Sequence, residues 1–208
     1  MRRALRAREG VIRVYGWATP TLSFGRNEPA RGRYAGYDAV RRPTGGRAIL
    51  HDRELTYSFT LPETERPRAL YARLNALLAA ALDRLGVPVA IVDHRSAVPI
   101  HHGPCFAVPA SGELTYEGRK IAGSAQWREN GAVLQHGSIL VENDQASIGS
   151  AEAATLRAAL GRAPSLDELA DAFGQVVAAE PLGVEAMVGA DARELRRHYA
   201  DVAWTWRL

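Results

Sequence analysis

The pair Asn130-Gly131, set between two strand-like runs, Lys120 to Arg128 and Ala132 to Val141, most narrows the folds open to this chain. A two-residue hairpin turn needs positive φ at both central residues, and Asn-Gly supplies it at least cost. A long antiparallel hairpin is therefore fixed in the second half of the chain. Other strand-like runs precede it: Val11 to Tyr15, Thr21 to Gly25, Asp38 to Arg42, Arg47 to Leu50 and Leu55 to Leu61. Val87 to Val92 reads as a buried strand and Glu113 to Tyr116 as another. Between them Leu70, Leu74, Leu77, Leu78, Ala81 and Leu85 recur at three- and four-residue spacing from Pro67, and Gly86 supplies a stop, which predicts a helix. Ala151 to Leu160 reads as a short helix, Ser165-Leu166-Asp167-Glu168 opens a second with an N-cap and early acids, and Asp191 to Tyr199 opens a third. The expected class is α+β, one domain over residues 1–208 built around a largely antiparallel sheet.

Composition excludes more than it assigns. The 208 residues suit one domain with a substantial core. No run approaches the roughly 20 apolar residues of a membrane helix. The N-terminus is basic but lacks the apolar stretch of a secretory signal, so a cytoplasmic protein without membrane contact is expected. A single cysteine forms no internal disulfide. A net charge of +3 is too small and scattered for a nucleic-acid binder, yet compatible with docking a small acidic protein. Adjacent His101 and His102 lack the spacing and partners of a metal site, and none is expected.

Of 26 basic residues, 25 are Arg and only Lys120 is Lys. A drift toward Arg explains the 25 but not the exception. Arg is planar and bulky, whereas Lys is a slim point charge that fits a tight pocket.

Three stretches could carry chemistry. In Arg41-Arg42-Pro43-Thr44-Gly45-Gly46-Arg47-Ala48, followed by His51, the glycine pair lets backbone approach a ligand and the arginines offer forked donors. A plain turn between strands would look similar. In Gly118-Arg119-Lys120-Ile121-Ala122-Gly123-Ser124-Ala125-Gln126, with His136-Gly137-Ser138 on the returning strand, small residues thin a strand so that something can pack against it. Cys105, after Gly103-Pro104 and near His101 and His102, is either a small buried apolar residue or a partly exposed nucleophile.

The combination resembles the biotin and lipoate protein ligase superfamily, and within it the cysteine-dependent octanoyltransferases of lipoate assembly. Tyr15 to Arg26, RRPTGGRAILHDRELTYS from Arg41 to Ser58, Gly103 to Leu140 with GRKIAGSAQ, and more weakly Tyr199 to Trp204 carry the likeness. The resemblance implies a mixed sheet flanked by helices, of the biotin/lipoate ligase catalytic-domain type, with a tunnel for a medium acyl chain. It implies Cys105 as the acylated nucleophile and Lys120 as the group holding the acyl carbonyl. Arg42, Thr44, Gly45, Gly46, Arg47, Ala48 and His51, with Gly123, Ser124, Ala125, His136 and Gly137, would contact substrate.

On this resemblance, octanoyl would pass from acyl carrier protein to Cys105 and then to a lysine on a lipoyl domain, of glycine cleavage H protein or of a 2-oxoacid dehydrogenase. No cofactor is needed, because one thioester replaces another and the amide step runs downhill. A monomer is expected. A thiol is only a few per cent ionised at pH 7, so a neighbouring cation matters for both nucleophile and oxyanion. His94, His101, His102 and His136 are candidates for moving the amine's proton. The alternatives are an ATP- and magnesium-dependent lipoate or biotin ligase, an amidotransferase between lipoyl domains, and a non-catalytic acyl-binding module. Some ligases carry an extra C-terminal domain, for which no length is expected here.

Overall fold

The computed structural model describes residues 1–30, 34, 36–93, 105–149, 153–179 and 184–207, with backbone alone for 184–188 and 190. A six-stranded sheet runs β1 (Val11–Tyr15), β5 (Glu54–Pro62), β9 (Ala132–Leu140), β8 (Arg119–Glu129), β7 (Leu114–Tyr116) and β6 (Ala90–Ile91), antiparallel throughout. A smaller sheet places β2 (Thr21–Phe24) between β3 (Asp38–Arg41), parallel to it, and β4 (Ile49–His51), antiparallel. The architecture is α+β with a mixed, largely antiparallel strand set. Asn130 and Gly131 take φ of 52° and 82°, the backbone that the hairpin turn demands.

One face of the large sheet carries Ile12, Val14, Leu55, Tyr57, Phe59, Val133 and Ile139 into the main core. Helix α2 (Pro67–Arg84) covers it with Leu70, Leu74, Leu78 and Leu82, the three-to-four spacing read from sequence. Each such leucine contributes about 1.5–3 kcal/mol by leaving water. Helix α4 (Leu166–Val177) adds Leu169, Ala172 and Phe173. Its start is set by a capping box, Ser165 accepting from the Glu168 amide while Glu168 accepts from that of Ser165.

Two expectations need correction. Val87 to Val92 is no buried strand: only Ala90–Ile91 pairs, both exposed at the sheet edge, because Pro88 cannot donate to a ladder. The helix expected from Ala151 begins at Leu156 as α3 (Leu156–Leu160), since Thr155 is extended and its side chain caps the Ala158 amide. The helix expected over Asp191 to Tyr199 forms, as the part of α5 (Val184–Tyr199) that follows a break at Gly189. Two short helices, α1 (Arg2–Ala7) and α6 (Val202–Thr205), carry no clear periodic signal. Among the described residues no helix is long and apolar enough to cross a membrane.

Candidate active site

Strand alternation sends a second set of side chains to the face opposite the core. The registers align Tyr15, Thr56, Ser138 and Gly123 in one row across β1, β5, β9 and β8. The small sheet and its loop from Arg42 to Ala48 stand over this row. Between them lies a cleft of about 980 Å³, reached by Trp17, Arg42, His51, Cys105, Lys120 and His136.

Lys120 enters the cleft through a break in alternation. Leu114 pairs with Ala122 but Thr115 pairs with Lys120, so β8 carries an extra residue here. Ile121 and Ala122 therefore both face the core, and Lys120 comes to the same side as Gly123. Re-aiming one side chain is what a bulge does beside a functional site. The Lys120 side chain is 2% exposed, and its ammonium is held at 2.7 Å by the Glu113 carboxylate. It donates at 2.7 Å to the Cys105 carbonyl oxygen and lies 3.8 Å from the Cys105 Sγ. Burial pushes the Lys120 pKa down, but the Cys105 sulfur and Glu113 outweigh it and the net shift is upward.

Cys105 is half-buried, its amide donating at 3.0 Å to the Ala48 carbonyl, which ties it to the end of the glycine loop. Gly123 forms the floor: a Cβ there would sit 3.5 Å from Sγ and 3.3 Å from the Lys120 Cε. Gly137 opposes Ser124, and a Cβ on it would lie 1.9 Å from the Gly123 carbonyl oxygen. The thinning of the strand is thus partly a backbone-on-backbone approach.

The loop holds itself together. Arg42 donates to the carbonyls of Ser23 (2.8 Å), Gly45 (3.0 Å) and Arg47 (2.7 Å), and burial pushes its pKa down. Gly46 has φ of 92°, and its carbonyl occupies the space a Cβ on Gly25 would need. Buried Arg41 fastens the outer side, donating to carbonyls of Gly25, Glu28 and Thr205. Thr44 is hydrogen-bonded to the Nε2 of His136 at 2.6 Å. Burial, then the charges of Arg42 and His51, push the His136 pKa down to about 3.

Of the residues expected to contact substrate, Arg42, Gly45, Gly46, Arg47, His51, Gly123, Ser124, Ala125, His136 and Gly137 line the cleft. Thr44 meets it through His136, and Ala48 through Cys105. The Ser124 hydroxyl turns to the core side, to Tyr57 at 2.5 Å and Asn75 at 3.0 Å. His94, His101 and His102 lie outside the described residues. Among the described residues no group of His, Cys, Asp and Glu could hold a metal ion.

Four contributors were not read from sequence: Glu113, Glu54, Trp17 and Asn75. Glu113 had a signal available. Glu117-Gly118 makes a tight turn with positive φ at both residues, and that turn sets Thr115 opposite Lys120 with Glu113 two residues further on.

A model of the lipoyl protein ligase A/B catalytic domain matches residues 2–177. The chain belongs to this family. Relatives include an octanoyltransferase LipM of Symbiobacterium thermophilum, 38% identical over 196 residues, covering 78% of this chain and 72% of that protein. Others are the LipM of Moorella thermoacetica, 42% identical over 66% of this chain and 57% of that protein, and that of Bacillus subtilis, 38% identical over 65% and 55%. The chain thus spans little more than half the length of the latter two. Among solved structures, a lipoate-protein ligase A bound with ATP superposes with a TM-score of 0.77 at 19% identity, covering 95% of this chain and 86% of that one. A bi-partite lipoate protein ligase from Thermoplasma acidophilum gives 0.70 at 19% identity, over 95% and 84%. These last two share the lipoyl ligase fold with the chain.

Proposed function

We propose that this lipoyl ligase family member moves an octanoyl group from the thioester of acyl carrier protein to the lysine of a lipoyl domain through a thioester on Cys105. The observation that carries the reading is the Cys105 sulfur, half-buried in the cleft with the Lys120 ammonium 3.8 Å away. The relatives named octanoyltransferase support the same acyl group and reaction class.

The residues divide the work as follows. The Cys105 thiolate attacks the donor thioester carbon, a carbon–sulfur bond forms as another breaks, and the carrier sulfur leaves as a thiolate that takes its proton from solvent. Lys120, fixed as a cation between Glu113 and the Cys105 carbonyl, faces both the sulfur and the oxygen on which charge gathers. Such preorganised charge costs no reorientation during reaction. The lysine amine of the acceptor then attacks the new thioester. A cleft of about 980 Å³ is ample for a medium acyl chain.

The exchange needs no nucleotide and no metal. The acceptor is a lipoyl domain of glycine cleavage H protein or of a 2-oxoacid dehydrogenase. Residues 1–208 act as one catalytic unit, monomeric and cytoplasmic. The test is transfer from octanoyl-acyl carrier protein to a lipoyl domain without ATP. The reading predicts acceptor octanoylation by the native protein and none by Cys105→Ala. Transfer that requires ATP and magnesium and survives Cys105→Ala would establish a ligase instead.

A further inference from the structure

The second half of this reaction sheds a proton from the attacking amine, and the groups nearest the sulfur are poor acceptors. Lys120 is pinned as a cation by Glu113 at 2.7 Å. His136, its pKa pushed down to about 3 and its Nε2 bonded to Thr44, has little basicity to offer. One further histidine reaches the cleft among the described residues, His51.

Its setting is built around one ring nitrogen. Nδ1 lies 2.9 Å from the Glu54 Oε1, on a carboxylate with no exposed side-chain surface. Thr56 donates to that same oxygen at 2.7 Å, while Glu54 Oε2 is buried without a hydrogen-bond partner. Trp17 stacks flat on the imidazole, ring centres 4.1 Å apart and planes 12° apart, and its own Nε1 is anchored on Thr56. A carboxylate at Nδ1 makes that nitrogen the donor and leaves Nε2 with its lone pair free. Position agrees: the Ser138 Oγ is 3.4 Å from His51 Nδ1, and Ser138 pairs directly with Gly123, over which Cys105 stands. Neighbouring strands are about 4.8 Å apart, so His51 and Cys105 occupy adjacent places on one face.

The geometry points to His51, oriented by Glu54 and clamped by Trp17, as the general base that takes the acceptor amine's proton, an inference that rests on the thioester reading above. The neutral ε-amine attacks the acyl carbon, and the carbon–nitrogen bond forms as the carbon–sulfur bond breaks. The electron pair of the broken bond leaves on Sγ beside the Lys120 ammonium. The proton lost by the amine nitrogen goes to Nε2 of His51 and from there to solvent. His51 is thus a catalytic residue of transfer, and Glu54 and Trp17 are positioning residues.

The experiment separates the half-reactions. Octanoyl-acyl carrier protein is mixed with the full chain, acylation is followed by intact mass, and the isolated acyl-enzyme is then chased with a lipoyl domain or with hydroxylamine, which is uncharged at neutral pH. His51→Asn keeps a donor toward Glu54 but has no base at the Nε2 position. It is expected to slow transfer to the lipoyl domain by about 10²- to 10⁴-fold, at least a hundredfold more than it slows acylation, with hydroxylamine cleavage close to the native rate. Glu54→Gln, which keeps the shape, is expected to slow transfer on the order of tenfold or more with the same selectivity. Transfer by His51→Asn within threefold of native overturns the inference. So does equal loss of acylation, hydroxylamine cleavage and transfer in both variants, which marks a structural role. A native protein that never gains an octanoyl group overturns the thioester reading itself, and this inference with it.

Discussion

Lys120 stands 3.8 Å from the sulfur of Cys105 while donating at 2.7 Å to that same residue's carbonyl oxygen. One ammonium thereby fixes the backbone of Cys105 and confronts its side chain. Glu113 takes a further donor, so the direction of the charge is settled before any substrate arrives.

The fit around this ammonium is tight: Phe106 lies 5.0 Å away and the Gly123 floor packs against Cε. A guanidinium would need more width than this space gives. Lys120→Arg is therefore expected to lose acylation nearly as completely as Lys120→Ala, by about 10²- to 10³-fold, the scale of a lost oxyanion donor. Single-turnover acylation rates check this.

Glu113 is the counterion of a buried cation. Glu113→Ala leaves Lys120 uncompensated, and breaking such a pair costs about 3–5 kcal/mol. Urea unfolding of the variant is expected to reveal a loss of that size. The double variant Glu113→Ala with Lys120→Met should recover part of the stability and none of the activity.

Two glycines on paired strands respond differently. A Cβ on Gly137 meets the Gly123 carbonyl at 1.9 Å, so Gly137→Ala must part the β8–β9 ladder. A Cβ on Gly123 meets only side-chain atoms, the closest at 3.3 Å. Gly123→Ala is expected to fold with a thermal midpoint within a few degrees of native and to acylate slowly, while Gly137→Ala lowers the midpoint strongly. Thermal melts beside single-turnover rates separate the two.

His136 contributes to acid sensitivity. Its pKa falls from 6.5 in the unfolded chain to about 3 in the folded one, so between those values the unfolded state binds the extra proton. That part of the stability is present above about pH 6.5 and is lost as pH falls toward about 3, with a slope of at most about 1.4 kcal/mol per pH unit. His136→Gln should flatten this part of the stability–pH curve, measured by urea midpoints across the window.

Much of this was legible from residue order, for local reasons. The Asn130-Gly131 hairpin and the leucine spacing of α2 are decided within a turn or two of chain, and both formed where expected. Lys120 stood out because it is the single lysine among 26 basic residues. The partnership of Lys120 with Glu113 was half legible: the Glu117-Gly118 turn brings their two segments side by side, but a bulge at Ile121 turns Lys120 to the cleft face where alternation alone would have sent it to the core. The His51 cluster was hidden for another reason. Trp17, Glu54 and Ser138 come from the β1–β2 connection, β5 and β9, and only the sheet order brings them together.

The central claim is a covalent acyl group on one sulfur, and intact mass after incubation with octanoyl-acyl carrier protein tests it most directly. The account predicts a gain of one octanoyl group on the native chain, removed by hydroxylamine and absent from Cys105→Ser. An unchanged mass under turnover conditions, or an adduct that persists in Cys105→Ser, would contradict it.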